Sequence, residues 1–199
     1  MSNLAAFINY SATFAITFML SLYLQYIKGF EAQYAGTILV AQPLIMAVFS
    51  PLAGKLSDKT EPRIVASLGM LLVSIGLGFL SFIHTNTSII ALVFYLMLLG
   101  IGFALFSSPN TNAVMSSVEK KSYGIASSVL GTMRITGQMF SMGITMLVFS
   151  LVMGKVKITP DIHHLFIHST HAIFGIFTVL CVLGIFASMS RGKIYQNRL

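Results

Sequence analysis

The sequence predicts an all-α integral membrane protein, built as a bundle of six transmembrane helices. Of its 199 residues, 56% are hydrophobic and only 9% are charged. Soluble proteins average about 25% charged residues. The charges also fall between long uncharged runs, and a spanning helix needs roughly 20 predominantly apolar residues. A chain this apolar requires lipid as the solvent for most of its surface.

The uncharged runs define the predicted helices. The longest of them, residues 64–118, is too long for one span, and the polar segment from His84 to Ser88 divides it into two. The predicted helices cover residues 3–27, 32–56, 62–83, 88–116, 122–153 and 164–190, and a tail follows at 191–199. No linker is long enough to separate domains, so residues 1–199 are predicted to form a single bundle.

The basic residues predict the orientation in the membrane. Eight Lys and Arg side chains lie in the second and fourth connections and the tail, against three in the other connections. Because basic loops stay on the cytoplasmic side, we expect a multi-pass protein of the cell (plasma) membrane with both termini in the cytoplasm. Because the basic residues lie at the ends of apolar runs and not on one soluble face, we expect the lipid bilayer and not nucleic acid as a partner. The single cysteine, Cys181, excludes an internal disulfide.

Arg134 is the one charged residue of the fifth predicted span. It lies roughly 18 Å along the fifth helix at 1.5 Å per residue, near the middle of the membrane, where an arginine costs at least ~2.5 kcal/mol and needs a partner or water. It belongs to a small and polar stripe on one face of the helix, at steps of three and four: Ser127, Gly131, Arg134, Gln138, Ser141 and Thr145. Two readings stay open: Arg134 ties helices together, or it contacts a substrate or coupling group.

No Asp or Glu lies inside any predicted span. A proton-coupled transporter normally carries a buried group that changes charge within the membrane. If protons take part, we therefore expect the acidic group to come from another polypeptide or from a further part of this one.

Other polar and aromatic residues inside the spans are candidates for a substrate cavity, because unsatisfied polar groups are costly in hydrocarbon. Aromatic and amide groups suit a small amphiphilic ligand. The alternative for each of them is a contact between helices. The candidates are Asn9, Thr13, Thr17, Gln42, Tyr95, Phe103, Phe106, Asn110, Arg134 and Gln138.

A histidine cluster at the start of the sixth helix raises the question of a metal. His164, His168 and His171 share one helical face, and His163 precedes them. Asp161 is the only carboxylate nearby and there is no second histidine motif, so a solvated helix start is the preferred reading over a metal site or a pH-sensitive outer gate. We predict no metal, no cofactor and no enzymatic activity, with a histidine–metal membrane enzyme as the weakest alternative.

The connection between the second and third helices resembles the loop signature of the major facilitator superfamily of transporters. Gly54, Leu56, Ser57, Asp58, Lys59 and Arg63 match that signature. Glu61 and Pro62 depart from it, in a way that is similar to the copy in the second half of such transporters. The segment from Ser107 to Ala113, followed by Gly131 to Arg134 and by Gln138, resembles the second half of the 14-helix drug:proton antiporter branch.

The resemblance implies one half of a two-bundle transporter that binds substrate between its halves near mid-bilayer. It implies that the first and fourth helices face the cavity. It also implies that Gly54, Asp58, Lys59 and Arg63 hold one conformation of the cycle, with Asp58 beside a helix N-terminus. The expected function is proton-coupled efflux of small amphiphilic compounds, including drugs.

The resemblance implies twelve to fourteen helices for a whole transporter of this branch, and six are predicted here. The resemblance thus makes this chain the C-terminal half, working with a complementary N-terminal half or with a second copy. The alternative is a truncated, inactive or purely structural fragment.

Overall fold

The computed structural model describes residues 2–154, 158 and 162–189. Its helices are α1 (Ser2–Leu22), extended by a π-helical turn (Tyr23–Ile27), α2 (Ala32–Leu39), α3 (Ala41–Lys59), α4 (Pro62–Leu80), α5 (Ile89–Ser116), α6 (Tyr123–Met153), preceded by a 3-10 turn (Lys120–Ser122), and α7 (His163–Met189). Six stretches of this described chain are helical, long and apolar enough to cross a membrane, and α2 with α3 forms the second of them. The predicted fold class is confirmed.

The observed helix ends differ from the predicted ones by at most three residues. Local chemistry explains several of them. Pro62 begins α4, where its missing N–H would have no partner in any case. The Ser88 side chain accepts a hydrogen bond from the Ala91 N–H at 3.2 Å and caps α5. Gly154, with φ at +65°, ends α6.

The second span is interrupted, which the sequence reading of one helix over residues 32–56 did not anticipate. A turn at Val40 separates α2 from α3. Pro43 lies in the first turn of α3 and has no N–H to offer the carbonyl of Leu39, so the helical hydrogen bonding fails there. Lys155, Lys157, Asp161 and the predicted tail at 191–199 lie outside the described residues.

The helices pack in a series that leaves one side of the bundle open. α5 packs on α3 and α4, α4 packs on α7, and α7 packs on α1, which in turn packs on α6. α3 and α6 therefore lie at the two ends of the series, with α1 and α5 in contact between them. The side formed by α2, α3, α1, α5 and α6 is called the open face below.

Glycines allow the closest helix contacts. A Cβ on Gly69 of α4 would lie 2.5 Å from the backbone nitrogen of Phe106 on α5. A Cβ on Gly137 of α6 would lie 2.6 Å from the carbonyl oxygen of Phe7 on α1. Neither distance is possible for a real side chain, so these positions bring backbones together as small residues do in membrane bundles.

The core is aromatic and lies between α1, α4, α5 and α7. Its largest fully buried side chains include Tyr23, Phe103, Phe106, Phe166, Phe174 and Phe177. Outside it, large apolar side chains are exposed: Phe82 is 74%, Leu151 76% and Ile90 84% exposed. Such a surface suits lipid and not water.

Side chains of two helices hold the loop between α4 and α5 by its backbone. The Tyr23 hydroxyl donates to the carbonyl of His84 at 2.6 Å, and the Lys28 ammonium donates to that of Thr85 at 2.7 Å. Nε2 of His171, from α7, donates to the carbonyl of Ile83 at 2.6 Å. This end of the bundle is called the His84 end, and the opposite end, which holds Ser2, Lys59 and Ser116, the Ser2 end.

Candidate functional site

The open face carries two cavities, one on each side of α1. Cavity A has a volume of about 310 Å³ and is lined by Tyr10, Ser107, Thr111, Met115, Ser127, Leu130, Gly131 and Arg134. Cavity B has a volume of about 320 Å³ and is lined by Thr13, Thr17, Gly36, Leu39, Val40, Gln42, Pro43 and Met46. Tyr10, Thr13 and Thr17 follow each other at steps of three and four, so one face of α1 contributes to both cavities.

Cavity A is built around Arg134 and Tyr10. The carbon at the centre of the Arg134 guanidinium lies 5.8 Å from the centroid of the Tyr10 ring, within the range of a cation–π interaction. The hydroxyls of Tyr10 and Ser107 are hydrogen-bonded at 2.9 Å. The Thr111 hydroxyl donates to the carbonyl of Ser107 at 2.9 Å. The arginine is thus positioned by an aromatic ring from α1, which α5 holds in place.

Gly131 leaves space in cavity A and does not serve to bring two helices close together. A Cβ at this position would meet no atom within 4 Å. Gly131 and Ser127 stand one and two turns before Arg134 on α6, so the small stripe of this helix borders open space.

Cavity B holds three of the sequence-predicted residues, namely Thr13, Thr17 and Gln42. The Thr13 hydroxyl has no hydrogen-bond partner among the described residues, whereas the Thr17 hydroxyl donates to the carbonyl of Thr13 at 3.2 Å. The helix break at Val40 lies in this wall, beside Gln42. The interruption of the second span therefore shapes the cavity that it lines.

Six predicted residues are placed elsewhere. Asn9, Phe103, Phe106 and Asn110 are buried, and Phe106 reaches cavity A only indirectly, through the edge of its ring against Tyr10 at 6.4 Å between centroids. Tyr95 stacks on Phe79 of α4 at 5.2 Å, on the side of α5 that packs against α4. Gln138 is half-buried one turn beyond Arg134.

Two of the buried residues are polar without a partner. Among the described residues, neither Oδ1 nor Nδ2 of Asn9 is hydrogen-bonded, and Oδ1 of Asn110 is not either. A buried polar atom left unpaired costs about 1–3 kcal/mol. Asn110 follows Pro109, which interrupts the hydrogen bonding of α5.

Tyr10 and Thr111 line cavity A, although the sequence did not mark them as cavity residues. A signal for Tyr10 was present: it stands three residues before Thr13 and seven before Thr17, on the same helical face. The predicted row begins instead at Asn9, which is buried in the core, while Thr13 and Thr17 of the same row border cavity B.

The loop motif lies at the Ser2 end and joins α3 to α5. The Ser57 hydroxyl donates to the carbonyl of Gly54 at 2.8 Å and accepts from Nδ2 of Asn112, on α5, at 3.3 Å. A Cβ on Gly54 would lie 3.1 Å from the hydroxyl oxygen of Ser108, so α3 and α5 approach closely here.

The charged residues of the motif surround the turn between α3 and α4. Asp58 and Lys59 are in the last turn of α3, and Glu61 directly precedes α4. Nε of Arg63 lies 3.9 Å from the Glu61 carboxylate. The Glu61 carboxylate therefore stands at the N-terminus of α4.

A groove of about 420 Å³ lies beside Arg63, between α4 and α7. Apart from Arg63 and Ser67 its lining is apolar. It lies away from the open face and offers no cluster of polar groups, so cavities A and B are the better candidates for a site.

The histidines do not form a metal centre in the part of the chain that the structure describes: no group of three or more His, Cys, Asp or Glu side chains could hold an ion there. His171 uses Nε2 to bind the loop carbonyl of Ile83, and its ring lies 5.6 Å from that of His84. His164 and His168 are exposed.

Comparison with known proteins places the chain in a family. Residues 3–193 match the Major Facilitator Superfamily. The chain is 28% identical over 125 residues to the riboflavin transporter RibZ of Clostridioides difficile, which is 63% of this chain and 27% of the relative. It is 29% identical over 119 residues to the uncharacterized transporter YebQ of Escherichia coli, 60% of this chain and 26% of the relative.

A third relative is the uncharacterized MFS-type transporter YhcA of Bacillus subtilis, 38% identical over 72 residues, which is 35% of this chain and 14% of the relative. The chain spans less than half the length of these curated relatives. The family and the relatives indicate a transporter and not an enzyme. With a match that covers nearly its whole length and six apolar helices, the chain is a multi-pass membrane protein that belongs to the Major Facilitator Superfamily.

Proposed function

We propose that the chain is the C-terminal half of a proton-coupled antiporter that exports small amphiphilic compounds by alternating access. The observation that carries this proposal is the row Tyr10, Thr13 and Thr17 on α1, which joins two cavities on the open face of the bundle. A transporter half needs a polar surface of this kind where it meets its counterpart around the substrate.

A complementary N-terminal half, or a second copy, would close the open face. The two spans that border this face, Ala32–Lys59 and Lys120–Met153, are each only 17% buried over their most apolar stretch. The chain's length, under half that of its relatives, supports the same assignment.

The proton-coupling acid would come from that counterpart. The only carboxylate in the described spans is that of Asp58, in the last turn of α3 at the Ser2 end, so these spans offer no acid in the middle of the membrane. The loop motif would hold one conformation of the cycle, since Asn112 and Ser57 join α3 to α5 at the Ser2 end.

The central test is transport by the assembled protein in liposomes. We expect Arg134→Ala to abolish substrate-driven proton flux, followed with a pH-sensitive dye inside the vesicles. Lys120→Gln, which removes a positive charge just before α6, is the matched control and keeps its activity. Full activity of Arg134→Ala would reduce the arginine to a packing residue.

The second candidate is an inactive or structural fragment, favoured by the absence of a carboxylate from the middle of the described spans, where Asp58 at the end of α3 is their only acid. Liposomes that contain only this chain distinguish the two. Substrate-driven proton flux in them would exclude the fragment, and flux that requires a co-expressed N-terminal half would support the half-transporter.

Orientation in the plasma membrane is part of the proposal, with the Ser2 end in the cytoplasm. Because Cys181 is the single cysteine, a Cys181→Ala background provides a clean labelling test. We expect a membrane-impermeant thiol reagent added to whole cells to label Asn86→Cys and not Lys59→Cys. The reverse pattern would invert the topology.

A further inference from the structure

Cavity A carries a positive charge that nothing else in the described chain neutralises. Of the described residues that line it, Arg134 is the only charged one. The ion pairs found among the described residues are Arg63 with Glu61 and Lys121 with Glu119, and neither involves Arg134. An arginine inside the membrane requires a partner or water.

The N–H donors of the Arg134 guanidinium also have no hydrogen-bond acceptor among the described residues. The Tyr10 ring attracts the guanidinium from one side. It does not neutralise the positive charge and accepts no hydrogen bond from an N–H in its plane. The lining hydroxyls of Tyr10, Ser107 and Thr111 are engaged with one another or with backbone. A guanidinium presents five N–H donors in a fixed fork that matches a carboxylate or phosphate.

The remainder of the cavity is apolar or small. Met115 and Leu130 line it, and at Gly131 the helix leaves open space beside the arginine. The volume of about 310 Å³ is at the lower end of the range for small-molecule sites.

From these contacts we infer that cavity A is an anion site, which takes the acidic group of a small amphiphilic organic anion on Arg134 and its apolar body against Met115 and Leu130. The inference rests on the proposed transport function and adds the charge of the substrate. It predicts that this protein discriminates against organic cations of the same shape.

Two xanthene dyes of similar size and opposite charge provide the test: carboxyfluorescein, an anion, and tetramethylrhodamine ethyl ester, a cation. The full chain is placed in nanodiscs of phosphatidylcholine, whose headgroup has no net charge, and dye binding is followed by fluorescence anisotropy against empty nanodiscs. We expect the anion to bind at least about tenfold more tightly than the cation, since hydrogen bonds to charged groups contribute enough for such a factor.

Three variants locate the effect. Arg134→Gln should weaken anion binding about tenfold or more, and Arg134→Lys should retain part of it because the charge remains without the fork. Lys120→Gln removes the same charge from the chain outside the cavity and should leave binding unchanged. A merely general charge effect would instead weaken binding equally in Arg134→Gln and Lys120→Gln.

Equal or tighter binding of the cation, binding of neither dye, or unchanged anion binding by Arg134→Gln would overturn the inference. Transport separates it from the proposed function. Efflux of cationic dye that persists in Arg134→Gln would overturn the anion site and leave transport standing. If the chain binds the anion but transports nothing with any N-terminal half, the anion site stands and the proposed transport function is overturned.

Discussion

The span Pro62–Leu80 and the spans that border the open face use apolar helices in different ways. In Pro62–Leu80, 56% of the most apolar stretch is buried within the chain, against 17% in Ala32–Lys59 and in Lys120–Met153. All three are apolar enough to cross a membrane. Hydropathy therefore identifies the helices. Burial then distinguishes the helices that pack within this chain from those that face lipid or another surface.

The largest expected effect on stability comes from adding a methyl group to a glycine in the buried span, compared with the same change in a span of the open face. Gly69→Ala, at the contact of α4 with α5, should lower the free energy of unfolding by about 1–3 kcal/mol because the new Cβ would collide with backbone. Gly131→Ala, on the open face, should not lower it. Denaturant unfolding in detergent, followed by circular dichroism, measures both. Equal losses would mean that α6 is packed as tightly as α4.

A buried polar residue should give an effect of opposite sign. Asn9→Leu removes an amide whose two polar atoms have no partner among the described residues, so the free energy of unfolding should rise by about 1 kcal/mol. Asn112→Leu, at an exposed amide that is bonded to Ser57, should produce no such gain. A loss of stability in Asn9→Leu, measured in the same unfolding assay, would show that this amide has a partner from outside the chain.

A smaller effect is expected where the open face joins the core. The Ser141 hydroxyl of α6 accepts a hydrogen bond from the Ala15 N–H of α1 at 3.1 Å, and both residues are buried. Ser141→Ala should cost about 0.6 kcal/mol, the average for such bonds between membrane helices. Ser128→Ala is the control, because its exposed hydroxyl bonds only to its own helix. Thermal unfolding of the two variants should differ in that order.

The smallest effect belongs to the surface. Nζ of Lys121 lies 2.7 Å from the Glu119 carboxylate, yet the two side chains are 81% and 74% exposed. Lys121→Gln should therefore change the free energy of unfolding by less than about 1 kcal/mol, and less still at high salt. A larger loss in unfolding experiments at low and high salt would show that this turn before α6 is structurally important.

The number of helices and their ends could be predicted because they follow from local chemistry. Uncharged runs, Pro62, Ser88 and the loop motif are all features of neighbouring residues. The break at Val40 was harder to anticipate, since a proline in a membrane helix is compatible with a continuous helix, a kink or an interruption, and packing selects among them.

The candidate site was less accessible to sequence reasoning. Arg134 was identified because a charge inside a span has few explanations, and Thr13, Thr17 and Gln42 do lie in cavity B. Helical spacing alone could not say whether Asn9 or Tyr10 borders the open space, because both stand about one helical turn before Thr13. Their roles in substrate binding remain predictions until transport is measured.

At the His84 end, the side chains of Tyr23, Lys28 and His171 each donate a hydrogen bond to a main-chain carbonyl of the loop between α4 and α5. The loop also contributes side chains: the His84 ring lies beside that of His171, and Thr87 interacts with Tyr23. Among the described residues, Thr85 offers these helices its carbonyl alone, so the exposed side chains of Thr85 and Asn86 can change while the main-chain contacts stay in place. A short epitope exchanged into these positions would serve as an antibody handle at this end of the protein.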